Sequence, residues 1–197
     1  MREYEEFMYY LTYLQYYNKK MIIHSSKEKW YSNIVTIDKS KESIDYLIDG
    51  NRHKENGPAH IRYYVNGNII CKEYYINGTY HRENGPARIW HYKNGNISCE
   101  EYFINGKAHR ENGPACISYY ENANIRYEAY YINGKSHREN GPACISYYEN
   151  ANIRYEEYYI NGNRHRENGP AFIDYHVNGN ISDELYYING QQVTKPE

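Results

Sequence analysis

A Gly-Pro-Ala triplet recurs with its glycine at Gly57, Gly85, Gly113, Gly141 and Gly169, a strict 28-residue period that limits the folds open to this chain more than its composition does. Self-similarity at that spacing marks a repeat array, in which each unit buries its apolar face against its neighbours rather than in one common core. The consensus reads I-N-G-x-x-H-R-E-N-G-P-A-x-I-x-Y-Y-x-N-G-N-I-x-x-E-x-Y-Y. The units run 49–76, 77–104, 105–132, 133–160 and 161–188, closed by Asn189-Gly190. Units three and four differ only at Ala108/Ser136 and Ala129/Glu157, which reads as a recent duplication.

Within a unit, 59–65 and 69–76 are β-type runs joined at Asn66-Gly67, a strong hairpin signal. Side-chain parity then tests the loop length. A two-residue loop places Ala59, Ile61 and Tyr63 on the face of Lys72, whereas a three-residue loop groups them with Ile69, Cys71, Glu73 and Tyr75. The second grouping is more apolar and predicts a three-residue loop with glycine in the left-handed position. Ala123 and Ala151 replace that glycine in two units, where a positive φ strains alanine by on the order of 1 kcal/mol. The remainder of the unit predicts a turn at Asn77-Gly78, a short strand near His81 and Arg82, and a break at Asn84-Gly85-Pro86, since proline cannot donate to a ladder. The predicted fold is all-β, an elongated antiparallel meander of hairpin units roughly 55 Å long at about 4.8 Å per strand.

Upstream, I-D-Y-L-I-D-G from Ile44 to Gly50 matches the end of a unit, and 33–37 fall where its first strand belongs, so 21–48 read as a degenerate capping repeat. Phe7, Leu11 and Leu14 recur at helical spacing and predict an amphipathic helix over 2–18, within an N-terminal segment 1–20. Its simplest role is to cover the first sheet edge. A partner- or membrane-binding helix is the competing reading, and the acidic, tyrosine-rich segment disfavours it. The 49–190 stretch carries the five repeats, and 191–197 read as a frayed tail beside an open edge through which sheet ends join.

Twenty-eight tyrosines stand against four leucines, Leu11, Leu14, Leu47 and Leu185, so a leucine-rich core is excluded and phenol rings supply the buried area. A net charge of -2, with basic and acidic residues intermixed, offers no large field for nucleic acid or an anionic membrane. No segment has the pattern of a secretory signal or a membrane span. Cys71 and Cys99, then Cys116 and Cys144, each stand one repeat apart, about 10 Å in adjacent hairpins. That exceeds disulfide reach, so all four are expected as free, half-buried thiols in a reducing compartment, the cytoplasm.

The stretch Y-Y-I-N-G-K-x-H at Tyr130 to His137, repeated at Tyr158 to His165 with Asn163 for lysine, resembles MORN repeats, whose units carry Y-x-G and G-x-x-H-G. The match covers about 49–190. It departs from the usual pattern because H-R-E-N-G-P-A stands where that family has H-G-x-G, and the period is longer; this looks like the divergent variant of large DNA viruses of amoebae and of bacterial antitoxin-like proteins. The resemblance implies an antiparallel repeat sheet used for protein contacts or, in some members, phospholipid contact, and it implies no chemistry.

Candidate functional groups come as ladders. His53, His81, His109, His137 and His165 suggest metal ligands or pH switches, but a spacing of about 10 Å defeats a shared zinc, whose ligands each bind at about 2 Å. They are expected to pack turns. Arg82-Glu83, Arg110-Glu111, Arg138-Glu139 and Arg166-Glu167 suggest a strip of interstrand ion pairs, each worth little. Paired tyrosines alternate across a sheet, so one of each pair is expected to remain exposed. On that basis Tyr64, Tyr92, Tyr120, Tyr130, Tyr148 and Tyr158 are the candidate partner-binding residues. Aromatics beside Arg126 and Arg154 offer base stacking, which the net negative charge disfavours. No G-x-S-x-G, Walker-type loop or His-Glu-x-x-His occurs, so no enzyme, cofactor or metal is expected. The expected function is a cytoplasmic protein-interaction scaffold, virus-encoded and aimed at a host or viral protein. A peripheral phospholipid-binding module and an antitoxin-type neutralising protein are the alternatives.

Overall fold

The computed structural model describes Met21–Ile23, Asn33–Asp38, Ser43–Ile48 and residues 50–195. The helix expected over 2–18 lies outside the described residues. Everything described is β-strand or turn, and a 15-stranded antiparallel sheet forms the body of the protein.

Every unit contributes a long hairpin and a short one. The long hairpins pair His60–Tyr63 with Ile69–Glu73, Arg88–His91 with Ile97–Glu101, Cys116–Tyr119 with Ile125–Ala129, Cys144–Tyr147 with Ile153–Glu157, and Phe172–Tyr175 with the first part of Ile181–Ile188. They join edge to edge, Ile69–Glu73 to Arg88–His91 and onward, into one continuous meander. The short hairpins pair Tyr75–Ile76 with Thr79–Tyr80 and their equivalents at 28-residue intervals. Their Asn-Gly turns have both central residues at positive φ, 49° at Asn77 and 74° at Gly78, the type I′ geometry whose twist matches paired strands. The expected strand near His81 therefore lies one step earlier, at Thr79–Tyr80. Gln191–Val193, expected as tail, pairs with Tyr186–Ile188, because it completes the last short hairpin.

The long-hairpin loop has three residues. Tyr64 N–H donates to Asn68 O at 2.7 Å and Gly67 N–H to Tyr64 O at 2.8 Å, with Gly67 at φ 85°. Ala123 and Ala151 adopt φ 68° and 67° at the same place. The expected pairing holds only at the loop, where Tyr63 faces Ile69; one step on, Ile70 is bulged out, so Arg62 faces Cys71 and Ile61 faces Lys72. The same bulge recurs at Ser98, Arg126, Arg154 and Ser182. The expected apolar face is accordingly split. One face carries the register row Ile89–Glu100–Ile117–Glu128–Ile145–Glu156–Ile173, and the other carries Glu73–Arg88–Glu101–Cys116–Ala129–Cys144–Glu157.

The core is thin. Among the described residues its fully enclosed positions are Ala129 and the alanines of the Gly-Pro-Ala triplets, Ala59, Ala87, Ala115, Ala143 and Ala171, and among larger side chains only Cys71 is wholly buried. Each triplet alanine donates to one strand and accepts from the next, as when Ala87 N–H bonds Glu101 O and Tyr74 N–H bonds Ala87 O, both at 2.8 Å. A single methyl is what fits where two hairpins abut. The preceding glycines sit at φ 122–137°, a region closed to side chains.

Candidate binding surface

The histidine ladder ties neighbouring units together. His109 Nδ1 accepts the backbone N–H of Asn133 at 3.1 Å, and His53, His81, His137 and His165 accept from Asn77, Asn105, Asn161 and Asn189 in the same way. The arginines do not pair with the glutamates that follow them. Arg82, Arg110, Arg138 and Arg166 instead lie 3.9–4.0 Å over the rings of Tyr74, Tyr102, Tyr130 and Tyr158 and donate to the proline carbonyl of their own Gly-Pro-Ala triplet. The guanidinium thus closes the loop from both sides, and the strip of Arg-Glu ion pairs is replaced by cation–π stacking. Glu55, Glu83, Glu111, Glu139 and Glu167 stay exposed along that edge.

All six candidate tyrosines are half-buried, and none is left exposed. The hydroxyls of Tyr64, Tyr92, Tyr120 and Tyr148 donate to the backbone carbonyls of His91, Tyr119, Tyr147 and Tyr175 in the next unit, at 2.7–3.1 Å. Tyr130 and Tyr158 lie under Arg138 and Arg166. Tyr119 and Tyr147, the pair mates of Tyr120 and Tyr148, together with Tyr175 donate to Glu100, Glu128 and Glu156 on the other face. Burial, and then that carboxylate, push these three phenols up, Tyr175 to about 12. None of the six candidate rings is the exposed member of its pair, because four phenols span to the adjoining hairpin and Tyr130 and Tyr158 are covered by the guanidinium of the loop that follows them. Sequence reading also missed a third ladder: Asn68, Asn96, Asn124 and Asn152 donate their side-chain amides to the loop of the next unit. Their signal was the second asparagine of N-G-N, which reads N-A-N in units three and four.

Among the described residues, two kinds of groove are open. Between successive H-R-E-N-G-P loops lie clefts of about 530 and 540 Å³, the first floored by Tyr102 and Ile104 and walled by 82–85 and 109–112. On the sheet face of units three and four a groove of about 490 Å³ is lined by Ser118, Tyr120, Arg126, Tyr127, Ser146, Arg154 and Tyr155. Arg126 and Arg154 are the bulged residues, so the kink that disrupts the ladder also throws both guanidiniums outward, and both are exposed. They lie 5.9 and 6.0 Å from the ring centres of Tyr120 and Tyr148. Burial raises the Tyr127 and Tyr155 hydroxyls, which stay protonated as donors. A groove of this kind, with cations at its lip, aromatic walls and a hydroxyl floor, suits an extended acidic ligand.

Within each expected thiol pair the spacing holds, Cys71 and Cys99 lying on either side of Trp90. Cys116 and Cys144 flank Ala129 and lie two strands apart, but Cys99 and Cys116 are on neighbouring strands, a pairing hidden by a sequence separation unrelated to the period. Their shared hydrogen bond, the largest influence on both, lowers Cys116 and raises Cys99.

No protein-family model, curated protein or solved structure matches the chain.

Proposed function

We propose that this protein is a non-enzymatic repeat scaffold that binds a protein partner, with the sheet-face groove of units three and four as the docking surface. The observation that carries the reading is the doubled Arg126/Arg154 motif. Two near-identical units present the same exposed guanidinium beside the same tyrosine, and cations set one repeat apart, about 10 Å, complement a partner segment with carboxylates at matching intervals. The partner-binding role passes from the hydroxyls of Tyr120 and Tyr148, which bond within the chain, to their ring faces and to the arginines. The MORN-like Y-Y-I-N-G motif supports a scaffold role by resemblance, and four free thiols suit a reducing cytoplasm. The row of exposed glutamates along the loops argues against an anionic lipid surface as the primary ligand.

The test is capture from host lysate with the wild type and with Arg126→Glu/Arg154→Glu. A stoichiometric partner lost from the double variant, at unchanged melting temperature, supports the reading. Equal capture by both moves the surface to the interloop clefts. If the folded protein captures nothing yet co-sediments with liposomes, the phospholipid alternative replaces the scaffold.

A further inference from the structure

The boundary between units two and three breaks the repeat chemically. Cys99 and Glu101 project from one strand onto the same face, and Cys116 lies directly opposite Glu101 on the next strand. The two sulfurs and a carboxylate oxygen all lie within 4.8 Å of one another, and the three residues are half-buried. The equivalent positions at the other boundaries are Cys71, Glu73 and Arg88; Tyr127, Ala129 and Cys144; and Tyr155, Glu157 and Phe172. None of these offers more than two ligands.

We propose that Cys99, Cys116 and Glu101 form a binding site for a thiophilic divalent cation of the zinc class, stapling unit two to unit three. Two thiolates select a soft or borderline ion over magnesium or calcium. Sulfur–metal distances of about 2.3 Å and oxygen–metal distances of about 2.0–2.2 Å require ligand atoms to stand within about 4 Å of each other, a small closure from the observed spacing. Arg88, which also reaches Glu73 at 3.4 Å, offsets part of the charge. Its Nη1 donates to Glu101 Oε2 at 2.7 Å, and a divalent ion would offset the charge of the two thiolates. Oε1 remains as the donor atom, with Arg88 orienting the carboxylate as an outer-shell partner. Three protein ligands leave the fourth tetrahedral position to water.

The near-duplicate units supply an internal control, because Cys144 occupies in unit four the place of Cys116 in unit three but faces Ala129 and Glu157. The full chain, kept reduced with a non-thiol reductant, is titrated with Cd²⁺ for thiolate-to-metal charge-transfer absorption and with Zn²⁺ against a chromophoric chelator. Expected are one equivalent bound, a two-thiolate band, and a rise in melting temperature with Zn²⁺. Cys71→Ser and Cys144→Ser keep all three signals. Cys99→Ser and Cys116→Ser lose the two-thiolate band and the thermal shift while retaining the β circular dichroism of the wild type, and Glu101→Gln weakens binding by at least about tenfold. Absence of the band in the reduced wild type overturns the proposal. So does a band that survives in the Cys99→Ser/Cys116→Ser double variant, which assigns the metal to other thiols.

Discussion

At the scale of single residues, the recurring letters of the repeat have local jobs. The glycine of the Gly-Pro-Ala triplet is required twice over: Gly85 has φ 129°, and a Cβ there would stand 3.0 Å from the Arg82 guanidinium carbon that folds over the loop. The long-hairpin loop shows the opposite case, a position that wants glycine and lacks it in two units. Ala123 and Ala151 hold φ near 68° with no compensating side-chain bond, whereas Gly67, Gly95 and Gly179 fill the same place elsewhere with open space about the missing Cβ. Ala123→Gly and Ala151→Gly should each stabilise the protein by about 1 kcal/mol, less the extra entropy of a glycine in the unfolded chain. Urea unfolding of both single variants and the double checks this, and a loss of stability in either would remove the strain argument.

At the scale of elements, the short hairpins do more than link the long ones. They set side chains against the row that begins Asp45–His60–Glu73–Arg88–Glu101. Glu73 is 5% exposed and accepts from Arg52 at 3.3 Å, Tyr75 at 3.0 Å, Tyr80 at 3.2 Å and Arg88 at 3.4 Å, so two hairpins of each kind meet at one carboxylate. A buried charge is tolerated there because its lone pairs are filled. Glu73→Ala leaves Tyr75 and Tyr80 without their acceptor and Arg52 with one partner fewer, and should cost about 3 kcal/mol. Glu101→Ala, at a half-exposed carboxylate bonded to Arg88 alone, should cost less than half as much. Denaturant midpoints measured side by side decide the order, and equal losses would show that the Glu73 network is not cooperative.

At the scale of the whole molecule, stability is distributed along the array by three ladders, one each of tyrosine hydroxyls, asparagine amides and histidine rings, so no unit is independent of its neighbours. One consequence is alkaline lability. Tyr119, Tyr147 and Tyr175 have phenols raised above the ordinary value of 10.0, by burial first and by Glu100, Glu128 and Glu156 second. The native state therefore holds these protons to higher pH than the unfolded chain does. Their contribution is complete below about pH 10 and is lost as pH rises through the folded values. Tyrosinate absorbance should rise in two phases, the second coinciding with loss of the β circular dichroism signal. A single phase near pH 10 with the sheet intact would contradict the account.

Much of this architecture was legible in the residues alone. The 28-residue period, the Asn-Gly turns, the three-residue loop and the strained alanines follow from local chemistry, since turn geometry and φ preferences act within four or five residues. Other features depend on strand register and on how hairpins meet sideways: the bulge at Ile70 and its equivalents, the capture of Tyr64, Tyr92, Tyr120 and Tyr148 by a neighbouring hairpin, and the approach of Cys99 to Cys116. Sequence periodicity compares a residue with its copy one unit away, two strands distant. Contact across a unit boundary joins different positions of the repeat, and backbone hydrogen bonds between hairpins select that register. The sequence by itself thus determined a stack of β-hairpins with no leucine core, while only the tertiary structure decided which side chains the stacking consumes and which, such as Arg126 and Arg154, it leaves for a partner.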